Sequence, residues 1–239
     1  MNKYLFENDY NVDSLRWIKK VKESNLIANH NNYEWLEKLQ EEIISTNDSA
    51  MAYFFACEYS YKLYRMQQII IRNKDPKYSY LFAQNIKNAD IKALQKIVVD
   101  SNNIKYICNF ACFVRGAELK PLEELIIKSK NAKYAHMYIK HIPTANIKKF
   151  KDIILSSGKP RYLFELAKHI RSYKDLEQIE DLIIASGSFT YMRLLADKIK
   201  RSNIDKIEQA LLTTNNIEEI KKFAKSVKRS KMKRFLLVI

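Results

Sequence analysis

Five ten-residue segments of this chain are copies of one another at nearly constant spacing. KYSYLFAQNI (77–86), KYICNFACFV (105–114), KYAHMYIKHI (133–142) and RYLFELAKHI (161–170) follow at steps of 28 residues, and TYMRLLADKI (190–199) follows after 29. A second ladder, QQIII (67–71), QKIVV (95–99), EELII (123–127), KDIIL (151–155), EDLII (180–184) and EQALL (208–212), keeps the same period. Degenerate copies extend the array to MAYFFACEY (51–59) upstream and EIKKFAKSV (219–227) downstream, with residues 15–21 and 33–44 before them. A chain that repeats at this interval cannot enclose a private core in each copy, so every copy must bury its apolar side on the next.

Each copy reads as two short helices. In the first, helix A, Tyr78, Phe82 and Ile86 fall at i, i+4 and i+8 with Ala83 beside them, and Tyr106, Phe110, Ala111 and Val114 repeat the stripe. Asp75, Asn103, Asn131, Ser188 and Asn216 are good N-caps, and Pro76 and Pro160 stand one residue later, where proline is best tolerated. Helix A is therefore expected to start near residues 76, 104, 132, 160, 189 and 217. In the second, helix B, Ile91, Leu94, Ile97 and Val98 form an inward face that Leu119, Leu122, Leu125 and Ile126 repeat, and Ser101, Ser129, Ser157, Ser186 and Thr214 close the units. The pattern predicts an all-α protein, a right-handed α-solenoid of about six to seven two-helix repeats. One domain over 1–239 is expected, with divergent helices in 1–47, regular repeats in 48–214 and a basic incomplete repeat in 215–239.

These ladders resemble the HEAT-like and armadillo-like superclass of helical repeats, although the unit is shorter. Segments such as KNAKYAHMYIKHIPTANIKKFKDIIL are also similar to Asn/Ile/Lys-rich repeats of uncharacterised phage and giant-virus proteins. The resemblance implies a fold and a viral or mobile-element origin, which would place the chain in a host cytoplasm. It implies no reaction.

The chain carries 42 Lys and Arg against 27 Asp and Glu, a net charge of +15. By segment the balance is −3 over 1–50, then +5, +7 and +6 over 51–110, 111–170 and 171–239. An AT-rich genome, which inflates Lys, Asn, Ile and Tyr together, is one explanation, and an anionic partner is the other. The three cysteines are too few and too irregular for a disulfide framework, which suits a reducing cytoplasm. No run of about 18 apolar residues suggests a membrane span. GxSxG, HExxH, CxxC and a Gly-rich phosphate loop are all missing, so neither enzymatic activity nor a cofactor is expected. HEAT-like DNA glycosylases resemble this fold and use tryptophans in their pockets, but Trp17 and Trp35 sit on N-terminal apolar faces.

Several residues invite functional readings. The ladder Tyr78, Tyr106, Tyr134, Tyr162 and Tyr191 could stack bases, but it shares the stripe of its helices, so core packing between units is expected. The position two residues on, occupied by Tyr80, Cys108, His136, Phe164 and Arg193, varies in chemistry and is expected to face solvent. Cys108 and Cys112 with His136 lack a fourth ligand, so no metal site is expected. His141 and His169 suit helix C-termini, as do Lys87, Arg115, Arg171, Lys200 and Lys228. Lys77, Lys105, Lys133 and Arg161 instead stand in first turns, where a cation opposes the helix dipole. With unpaired backbone N–H groups beside them, these four are the leading candidates for anion binding, either nucleic acid without sequence preference or an acidic protein surface. A second candidate set is the acid-free C-terminal run Lys221, Lys222, Lys225, Lys228, Arg229, Lys231, Lys233 and Arg234. Its apolar end, from Phe235, is expected to fold back as a cap or to meet a partner, a second copy or an anionic membrane surface.

Overall fold

The computed structural model describes residues 33–232. The helix expected at 15–21, Trp17, Lys233, Arg234 and the apolar end from Phe235 lie outside the described residues. Within them the chain forms fourteen α-helices: α1 (Tyr33–Thr46), α2 (Ser49–Tyr59), α3 (Leu63–Asn73), α4 (Pro76–Asn85), α5 (Ile91–Asp100), α6 (Ile104–Phe113), α7 (Leu119–Lys128), α8 (Ala132–His141), α9 (Ile147–Leu155), α10 (Pro160–His169), α11 (Tyr173–Ala185), α12 (Phe189–Lys198), α13 (Ile204–Thr213) and α14 (Ile217–Ser226). Helix A starts at all six expected positions. The chain divides into two compact units between Leu125 and Ile126, within α7.

Each unit is a succession of helices in which a helix packs on the next and on the next but one. In the first, α4 lies against α5 and against α2 and α6; in the second, α10 lies against α11 and against α8 and α12. The core is the apolar stripe read from the repeat: Phe82, Leu94, Val98, Phe110 and Leu122 in the first unit, and Phe150, Ile154, Leu166, Ile183, Leu195 and Phe223 in the second.

Three recurring polar devices hold the short helices in register. Helix A begins where Asp75 accepts the backbone N–H groups of Lys77 and Tyr78, and where Asn103 and Asn131 accept those of Lys105 and Lys133. At the other junction, the Ser101 hydroxyl donates to the Val98 carbonyl at 2.7 Å and accepts from the Asn103 N–H at 3.1 Å. Ser129, Ser157, Ser186 and Thr214 make the same pair of bonds. A residue of positive φ (Asn102, Lys130, Gly158, Gly187 or Asn215) reverses the chain between the serine or threonine and the next N-cap.

The third device links α3 to α5, α5 to α7 and α11 to α13, and ties α13 to the segment after α14. Gln67 Oε1 accepts the backbone N–H of Asp90, the N-cap of α5, at 2.9 Å. Gln95 accepts the Glu118 N–H at 2.8 Å and donates to the Glu118 carbonyl at 2.9 Å. In the second unit Glu180 accepts the N–H of Asn203, the N-cap of α13, at 2.8 Å, and Glu208 accepts the Ser230 hydroxyl at 2.6 Å and the Lys231 N–H at 2.9 Å. All four side chains are buried. They open the segments QQIII, QKIVV, EDLII and EQALL, so the second ladder carries a polar column as well as an apolar one.

Truncation to Gln95→Ala leaves both Glu118 backbone groups without their partner, and a loss of about 1–3 kcal/mol in urea denaturation is expected. Burial raises the Glu180 carboxyl above its usual range, against the lowering effects of the Asn203 N–H and Lys206. With a raised folded-state value the unfolded chain releases its proton first, so this carboxyl weakens the fold as pH rises through that range. Glu180→Gln supplies the amide that Gln95 uses; its urea midpoint should equal the wild type's below about pH 4 and exceed it at pH 7. Parallel pH profiles would contradict the assignment.

Candidate anion-binding site

The four first-turn cations are distributed two to a unit. In the first, Lys77 is half-buried and Lys105 exposed; in the second, Lys133 and Arg161 are exposed. The ammonium groups of Lys77, Lys105 and Lys133 lie over the rings of Tyr78, Tyr106 and Tyr134, at 5.1, 5.2 and 5.5 Å from the centroids. Each cation therefore rests on the negative face of its own neighbour, a contact of about 0.5–1 kcal/mol at exposed sites. The backbone N–H groups of Lys77, Lys105 and Lys133 are not unpaired as expected, because Asp75, Asn103 and Asn131 accept them. A ligand would meet the ammonium groups but not those amides.

The tyrosine ladder packs between helices A. Tyr78 lies 5.9 Å from Tyr53, Tyr106 6.5 Å from Tyr80, Tyr162 4.8 Å from His136 in a stack, and Tyr191 6.1 Å from Phe164. The residues beneath these rings correct the expectation of solvent exposure: Tyr80, Cys108, His136 and Phe164 are buried, and Arg193 is intermediate. At Tyr80, His136 and Phe164 the variation is matched by what lies above it, because the next helix A places a tyrosine ring over each.

Burial lifts the Tyr80 phenol to about 12. Cys108 and Cys112 sulfurs stand 4.0 Å apart, and that contact together with burial raises the Cys108 thiol. No group of three or more His, Cys, Asp or Glu among the described residues could hold a metal. A shallow groove of about 680 Å³ beside α5 is lined by Asp90, Glu118, Lys92 and Lys96, whose charges offset each other.

The basic charge belongs to one unit. Residues 33–125 carry 12 Lys and Arg and 12 Asp and Glu, whereas residues 126–232 carry 23 against 11. Part of the C-terminal basic run is committed to structure. Arg229 donates to the carbonyls of Lys200, Ala196 and Ile199 at 2.5, 2.8 and 3.0 Å, closing the end of α12. Lys222 pairs with Glu218 and Glu219, and Lys231 with Asp205. Lys225 and Lys228 are exposed and Lys221 is half-buried. Sequence reasoning missed Arg201, which caps the preceding helix A in the same way, donating to the Ile170 and Arg171 carbonyls. Its signal was available, since Arg201 and Arg229 stand 28 residues apart at the same place in the repeat.

No protein-family model, curated protein or solved structure matches the chain. No helix among the described residues is long and apolar enough to cross a membrane.

His136 is buried under Tyr162, and its Nε2 has no hydrogen-bond partner among the described residues. Burial pushes its pKa down to about 4, with Glu165 opposing and Arg161, Lys140 and His141 reinforcing the shift. As pH falls below about 6.5 the unfolded chain takes up this proton first, so stability is lost between there and pH 4. His136→Phe, which copies Phe164 one unit later, is expected to remove that loss, read as thermal midpoints of the two proteins across this range. An unchanged acid limb in the variant would contradict it.

Proposed function

We propose that the two-helix repeats build a right-handed α-solenoid that serves as a binding scaffold with no chemistry of its own. Its basic surface engages an extended anionic partner, nucleic acid held without sequence specificity. The observation that carries this reading is the concentration of charge: 23 Lys and Arg against 11 Asp and Glu in residues 126–232, beside an evenly balanced 33–125. A compositional bias acting on the whole chain would load both units alike. Self-repulsion of this size opposes folding, and a polyanion relieves it.

Lysines act as point charges that neutralise phosphates, and they do not read base edges as a guanidinium fork can. Such binding is phosphate-dominated, with the logarithm of affinity falling linearly as the logarithm of salt rises. Fluorescence titration of labelled homopolymer strands and a mixed-sequence duplex is expected to give similar affinities across sequences of one strandedness. A loss of at least about a hundredfold between about 50 and 200 mM salt should accompany it. Absence of binding at the lower salt concentration would overturn the reading, as would an affinity that ignores salt.

A further inference from the structure

We propose that the C-terminal ends of α8, α10, α12 and α14 form a single-strand-binding edge on the second unit. Lys140, Arg171, Lys200, Lys225 and Lys228 would receive phosphates there, and a base would stack on Tyr173. The proposal rests on the anionic-partner reading and locates its site, away from the first-turn cations.

The helix ends are brought side by side by two guanidinium groups. Arg201, in the segment after α12, donates to the Ile170 and Arg171 carbonyls at the end of α10. Arg229, after α14, donates to the Ala196, Ile199 and Lys200 carbonyls at the end of α12. The first pair in the row keeps the same register, since His136 of α8 lies under Tyr162 of α10 as Phe164 of α10 lies under Tyr191 of α12. Helices packed this way stand about 8–10 Å apart, so four ends span on the order of 25–30 Å. That length suits the few to a dozen or so nucleotides held by single-strand-binding grooves.

The helix dipole explains some cations at this edge but not all of them. A cation near a helix C-terminus is favourable, and at α10 and α12 Arg201 and Arg229 already occupy the terminal carbonyls. Lys168 and Lys198 hold Glu165 and Asp197, each at 2.8 Å. Lys140, Arg171, Lys200, Lys225 and Lys228 are exposed beyond these arrangements.

An exposed aromatic side chain stands in the same place. Tyr173 is 71% exposed, and the Arg201 guanidinium lies 5.7 Å from its ring centroid. It belongs to an irregularity in the repeat. By register with Ile91, Ile147 and Ile204, the first residues of α5, α9 and α13, α11 should begin at Leu176. The extra residue of the 29-residue step lets it start one turn earlier, and that added turn, residues 173–175, carries Tyr173. An exposed ring amid cations offers a stacking face for an unpaired base, which a duplex cannot present. This favours a single strand over a duplex and over an acidic protein.

The test is fluorescence anisotropy of a labelled thymidine oligomer and of a duplex of equal length, with the full-length protein and helicity followed by circular dichroism. The wild type is expected to prefer the single strand. Tyr173→Ala should weaken single-strand binding by roughly tenfold while leaving the duplex unchanged, and Tyr173→Phe should restore it. Joint change of Lys140, Arg171, Lys200 and Lys228 to Glu should abolish binding of both. Joint change of Lys77, Lys105, Lys133 and Arg161 to Glu should cost much less. Four results would overturn the edge while leaving nucleic-acid binding intact: equal losses from the two charge-reversal sets, a larger loss from the first-turn set, a Tyr173→Ala protein with wild-type affinity, or no preference for the single strand. Displacement of the strand by oligoglutamate of equal charge would point to an acidic protein surface and overturn the proposal. Failure to bind any nucleic acid would remove the broader reading with it.

Discussion

Coupling between neighbouring helices B is the constraint on which the rest of this structure depends. Helices of nine to fourteen residues are marginal on their own in water. The buried amide or carboxylate of Gln67, Gln95 or Glu180 satisfies backbone groups just before the next helix B, and that of Glu208 the Lys231 N–H after α14, where orphan donors would otherwise face the core margin. Each bond forms only when two successive copies are in register. The column therefore acts as both adhesive and ruler. The serine and threonine hydroxyls at the B-to-A junctions and the Asp or Asn caps of helix A do the same over shorter distances.

Much of this is legible in the sequence. The starts of helix A followed from cap residues and prolines, and the buried stripe from the spacing of Phe82, Phe110 and Leu166 with their neighbours. The burial of Tyr80, Cys108, His136 and Phe164 was not legible, because chemical variation along a column looks like solvent exposure. At Tyr80, His136 and Phe164 what tolerates the variation is a tyrosine from the next helix A, a relation 26 or 27 residues away in the chain that no single helix displays. The polar column of helix B was hidden for a similar reason. Gln and Glu head otherwise apolar segments, and their partners are backbone groups, which carry no sequence signal.

The candidate site was only half legible. First-turn lysines drew attention because they oppose the dipole, yet Lys77, Lys105 and Lys133 lie over their neighbouring tyrosines and stand beside amides that the N-caps already occupy. Cations at the helix C-termini looked structural because the dipole welcomes them. At α10 and α12 the guanidinium groups of Arg201 and Arg229 change that reading, since they take the carbonyls that the neighbouring cations would have served. The excess of cations lies in residues 126–232, and the single extra residue of the copy that begins RYLFELAKHI acquires a consequence in the exposed ring of Tyr173.

Backbone hydrogen exchange of the full chain, with and without a single-stranded oligonucleotide at low salt, addresses the account most directly. Slowed exchange on binding is expected at the ends of α8, α10, α12 and α14 and in the first turn of α11 around Tyr173, with the first turns of α4, α6, α8 and α10 unchanged. Slowing confined to those first turns, or absent everywhere at saturating strand, would contradict it.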